Sequence, residues 1–137
     1  MKTITICGSM QFFAEMKQLK RELEYLGFKV FIPSEEGTGT DYSKLSRQEQ
    51  ANLKQGYIDN HIDKIKKSDA ILLANYTKNE IKDYIGANTF LEMAFAYILK
   101  KKIFILNSIP LQPNTVEIEG LKPITLNGNI NHLNDIH

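Results

Sequence analysis

"GANTFLEMAFAYILKKKIFIL", Gly86 to Leu106, holds the decisive pattern of the chain. Its first half is apolar at helical spacing and its end, "KIFIL", is a short apolar run suited to a buried strand. A helix returning directly to a buried strand is the repeating unit of a parallel α/β sheet. One residue does not belong to that pattern: Glu92 is the only acidic side chain in the stretch.

Outward from this segment the same unit recurs. "TITIC", Thr3 to Cys7, is a β-branched run that stops at Gly8-Ser9 and reads as a first strand ending in a turn. Phe12, Met16, Leu19, Leu23 and Leu26 then follow the period of a helix that Gly27 ends, and "FKVFIP", Phe28 to Pro33, is a second strand. The polar segment Ser34 to Ser46 suits a loop over a site. A helix from about Arg47 to Lys67 leads to a third strand at "DAILLAN", Asp69 to Asn75. Lys102 to Leu106 is a fourth strand, and "KPITLNG", Lys122 to Gly128, reads as a fifth after a loop through Pro110 and Pro113. This order predicts an α/β fold, doubly wound in the Rossmann or flavodoxin manner, with a mainly parallel five-stranded sheet. No repeat or linker divides the chain, so residues 1–137 are read as one domain. In such sheets ligands sit beyond the carboxyl ends of the strands, where Gly8-Ser9 and the segments after Pro33, Asn75 and Asn107 lie.

Composition narrows the partners. A formal net charge of +1, from 17 basic and 16 acidic side chains, offers no electrostatic footprint for nucleic acid or an anionic membrane. No stretch approaches the roughly 18 apolar residues of a bilayer span. The single cysteine, Cys7, cannot form an internal disulfide, and no cysteine–histidine group has zinc spacing. A reducing, cytoplasmic setting is expected, with no metal or organic cofactor.

Two readings of Glu92 are open on local grounds. In "TFLE" Thr89 could cap the helix while Glu92 folds back in a capping box. Alternatively, Phe95, Ala96 and Leu99 share its helical face, so the carboxylate emerges among apolar side chains. Burial raises a carboxyl pKa and a helix N-terminus lowers it, leaving an ionised but poorly hydrated group suited to nucleophilic attack.

"ICGSM" at Ile6 to Met10, "SDAILLAN" at Ser68 to Asn75 and the Glu92 stretch together resemble the nucleoside 2-deoxyribosyltransferase superfamily, over about residues 3 to 107. That superfamily includes base-exchanging transferases and 2′-deoxynucleoside 5′-monophosphate N-glycosidases. The resemblance implies that Glu92, followed by Met93, Ala94, Phe95 and Ala96, attacks the anomeric carbon of a ribose-type sugar. It also implies that Asp69 binds or protonates the departing base, and that a homo-oligomer forms. Gly8 and Ser9 match the hydrolases' turn after the first strand. Gly86 and Asn88 precede the Glu92 helix, where free N–H groups could hold a 5′-phosphate. The expected partner is a small nucleoside or nucleotide; a nucleotide-binding or sensing module without turnover is the alternative.

The chain departs from the family in several places. Gly86 stands where transferases carry an aspartate, and Asp83 lies too far back to be assumed equivalent. Thr5 stands where a tyrosine orients the glutamate. Met10, Gln11 and Phe12 follow "CGS" in place of a basic residue, so phosphate recognition would need Lys17, Arg47 or a second subunit. "GTG" at Gly37 to Gly39 is a poor phosphate loop beside Glu35 and Glu36. His61 reads as a surface helix residue between Asp59 and Asp63, His132 and His137 as tail residues, and Tyr42 and Tyr57 as packing aromatics.

Overall fold

The computed structural model describes residues 2–35 and 41–135. The proposed "GTG" segment, the Glu36 beside it and His137 lie outside them. Five strands run β1 (Thr3–Cys7), β2 (Lys29–Phe31), β3 (Ala70–Leu73), β4 (Lys102–Ile105) and β5 (Ile124–Thr125). Their order in the sheet is β2-β1-β3-β4-β5, and every neighbouring pair is parallel. Four helices connect them: α1 (Phe13–Tyr25), α2 (Arg47–Lys66), α3 (Ala87–Ile98) and α4 (Thr115–Gly120). The α/β, doubly wound reading holds, with a sheet that is parallel throughout. α4 occupies part of the segment that the sequence suggests is loop.

Side-chain alternation builds the two layers. Ile4, Ile6, Ala70, Leu72 and Phe104 point to the face covered by Met16, Leu19 and Leu23 of α1. Cys7, Ile71, Leu73, Ile103 and Ile105 point to the other, against Ile65 of α2, Met93 and Ala96 of α3, and Ile118 of α4. Strands buried on both faces need near-continuous apolar sequence, as "AILL" and "KIFI" supply. α1 stops where Gly27 takes a left-handed φ of 98°, so that Phe28 N–H reaches back to the Leu23 carbonyl. α2 starts in a complete capping box between Ser46 and Glu49.

Strand order 2-1-3-4-5 places the topological switch between β1 and β3, since connections leave these neighbours in opposite directions. The loop after β3 is unusually well tied. Asn75 donates to the Asp83 and Ser108 carbonyls and accepts from Asn107 N–H. Asp83 accepts from both the backbone and the hydroxyl of Ser108. Asp83 is therefore a nearly buried strut of the loop. Lys78 and Ile81 exchange backbone bonds across Asn79 and Glu80, both at positive φ, which makes a tight hairpin. Gln112 clamps both backbone groups of Ile85. These ties fix the start of α3.

Candidate active site

A cleft of about 630 Å³ opens at the switch point. Gly8, Ser9, Gly86, Asn88 and Glu92 all line it, so five of the six residues singled out in the sequence come together. Asp69, the sixth, does not. It stands just before β3, at the amino edge of the sheet, where its carboxylate accepts a 2.8 Å hydrogen bond from Thr3 N–H. Parallel strands send their two ends to opposite sides of the domain, which separates Asp69 from a site at the carboxyl ends.

The floor of the cleft is the turn after β1. Gly8 is required by close approach: a Cβ there would stand 3.0 Å from the Ala74 carbonyl oxygen and 3.1 Å from Met16 Sδ. Ser9 caps the short turn that follows, its hydroxyl accepting from Gln11 N–H while its own proton stays available. Phe12 stacks obliquely on Tyr76 at 5.1 Å, joining this turn to the segment after β3.

Gly86 is the N-cap of α3, and no side chain caps that end. Of the two readings of Glu92, the capping box at Thr89 is therefore not formed: the helix begins at Ala87, and Glu92 lies in its second turn. Free backbone donors of the first turn stand at residues 86–89, all on the cleft.

Glu92 meets two side chains from other elements. His61 of α2 places Nε2 2.9 Å from Glu92 Oε2, and the same ring nitrogen lies 3.5 Å from Cys7 Sγ at the end of β1. The His61–Glu92 contact has ion-pair distance, but its angle misses a formed hydrogen bond. Cys7 is fully buried, and burial, followed by the adjacent Glu92 carboxylate, pushes its thiol well up. Cys7 thus keeps its proton near neutrality and offers an S–H beside the carboxylate. Thr5, where a tyrosine was expected to orient the glutamate, instead bonds Ser68 and the Lys64 carbonyl.

His61 corrects the surface reading: it is 7% exposed. Ile58, His61 and Ile65 fall at helical spacing, and this periodicity could have marked His61 as inward while Asp59 and Asp63 stay exposed. Tyr42, Tyr57, Lys54 and Lys78 also line the cleft. Loss of hydration and then the neighbouring Tyr57 push the Tyr42 phenol up. Of the basic residues considered for phosphate, Lys17 lies over the Phe13 ring and Arg47 borders an adjoining hollow with Tyr42 and Lys54. Lys54 and Lys78 are the cations that line the cleft itself. No helix among the described residues is long and apolar enough to cross a membrane.

Neither a protein-family model nor a curated protein matches the sequence. Solved structures do match. The 2-deoxyribosyltransferase of the psychrotolerant bacterium Bacillus psychrosaccharolyticus is similar at 19% identity and a TM-score of 0.54, over 75% of this chain and 70% of that one. The CMP N-glycosidase BcmB of Clostridium botulinum is similar at 16% identity and a TM-score of 0.51, over 98% of both chains. The chain shares the fold of these two proteins, and at such identity the likeness establishes the fold alone.

Proposed function

We propose that this protein, acting as one domain, cleaves or transfers the N-glycosidic bond of a nucleoside, a nucleotide or a related N-riboside, with Glu92 as nucleophile. The observation that carries the reading is the position of Glu92: a mostly buried carboxylate on the wall of the switch-point cleft, beside Cys7 and His61. The shared fold with a deoxyribosyltransferase and a CMP N-glycosidase supports the substrate class.

In this mechanism a Glu92 oxygen attacks the anomeric carbon as the carbon–nitrogen bond breaks. The bonding electron pair leaves with the base, which takes a proton from solvent in the open cleft. The resulting glycosyl ester is then attacked at the same carbon by water or a second base, and the Glu92 carboxylate departs. Cys7 S–H and His61 hold the carboxylate in place. Ser9 and the free amides at residues 86–89 are suited to sugar or phosphate oxygens, with Lys54 and Lys78 supplying positive charge. Asp69 has no part in this scheme.

A homo-oligomer is consistent with the end of α3, where Tyr97 and Ile98 are exposed. One observation favours the alternative of a binding module without turnover: Thr5, in the place of the family's tyrosine, bonds Ser68 and the Lys64 carbonyl rather than Glu92. Incubation with ribo- and deoxyribonucleosides and their 5′-monophosphates, with and without an acceptor base, separates the two. Free or exchanged base supports the enzyme. A raised melting temperature without base release supports the module.

A further inference from the structure

Glu92 and the two side chains beside it form a donor set of another kind. Cys7 Sγ, His61 Nε2 and a Glu92 oxygen lie within 4.8 Å of one another, and they come from β1, α2 and α3. One sulfur, one imidazole nitrogen and one carboxylate oxygen, two of them from residues that line a cleft, is a donor set suited to zinc. We infer that Cys7, His61 and Glu92 bind one zinc-class divalent ion, which occupies the Glu92 carboxylate and reversibly blocks the cleft.

Geometry supports this beyond proximity. Zinc bonds of about 2.0–2.3 Å at tetrahedral angles separate ligand atoms by roughly 3.3–3.6 Å. The Cys7–His61 separation of 3.5 Å already fits, and the His61–Glu92 separation of 2.9 Å must widen by roughly 0.5 Å. Glu92 Oε2 is buried with no hydrogen-bond partner among the described residues, although it stands against His61. The His61 side chain is itself nine-tenths buried. A cation between the three would satisfy the carboxylate oxygen. His61 and Glu92 both line the cleft, which gives an ion its entry path. On binding, the Cys7 thiol proton passes to solvent and the sulfur coordinates as thiolate. The preference for zinc, cobalt or cadmium over magnesium or calcium follows from the sulfur and nitrogen donors.

The blocking of the cleft rests on the proposed function, whereas the binding does not. The test is titration of chelator-stripped protein with Co²⁺, read by absorption, and with Zn²⁺ in competition with a chromophoric chelator. A 1:1 complex with tetrahedral cobalt bands and a thiolate charge-transfer band is expected. Cys7→Ala should abolish the charge-transfer band, and Cys7→Ala and His61→Gln should each weaken zinc at least about tenfold while circular dichroism confirms their fold. Absence of a 1:1 complex, or a complex unchanged in both folded variants, overturns the site. If the protein releases base, zinc should inhibit it and a chelator should restore it; metal binding without inhibition overturns the blocking role. If no base is released on any substrate, the proposed function fails while the spectroscopic result still decides the metal site.

Discussion

His61 Nε2 stands 2.9 Å from Glu92 Oε2 across the α2–α3 interface, so the carboxylate at the cleft wall stands against a residue from another helix. The pair depends on α2 and α3 packing on the same face of the sheet, where Ile65 and Met93 share one core. In the proposed function this contact takes the positioning part of the tyrosine whose place Thr5 occupies.

His61→Gln should lower kcat for base release by roughly tenfold to a hundredfold with KM nearly unchanged, because a misplaced nucleophile loses rate more than binding. A His61 that only filled space would leave kcat intact once the fold was preserved. Steady-state kinetics on the folded variant separates the two.

Asp69→Ala should leave base release unchanged and cost stability of about 1 kcal/mol, from loss of the bond to Thr3 N–H. Parallel activity and denaturant measurements check it. A collapse of activity in a stably folded variant would return Asp69 to the mechanism.

Gly8→Ala should destabilise by about 1–3 kcal/mol, since the new methyl meets a backbone oxygen at 3.0 Å that has little room to move. Urea unfolding measures the cost. A neutral result would mean that β1 and the segment after β3 are less closely apposed.

The layers of this fold were legible in the sequence because their signals are local. The helical period of Met16, Leu19 and Leu23 and the runs "TITIC" and "AILL" needed no tertiary information. α4 was harder: six residues between prolines carry too short a period. Gly8, Ser9, Gly86, Asn88 and Glu92 converge because they follow strand ends or begin a helix on the carboxyl side of the sheet. Asp69 does not join them, because a residue preceding a strand belongs to the opposite edge. Cys7 and His61 show no ligand spacing along the chain, and only the packing of α2 against β1 brings them together.

Acid should loosen the start of α2. Hydrogen bonds from the Ser46 backbone and side chain hold the Glu49 carboxyl below its ordinary value of 4.5. A depressed folded value means that this stabilisation is complete above pH 4.5 and is lost as pH falls through the lower, folded value. The melting-temperature gap between the native protein and Glu49→Ala should therefore be present at neutral pH and close under acid. A gap that persisted unchanged at low pH would contradict the ionised cap.

The central claim is that Glu92 forms a bond to the sugar, and chromatography of free base from the native protein and from Glu92→Gln tests it most directly. The predicted result is release or exchange of base on at least one nucleoside or nucleotide, falling by at least ~10³-fold in the folded glutamine variant, as when other enzymes lose their nucleophile. Comparable base release from folded Glu92→Gln would contradict the account.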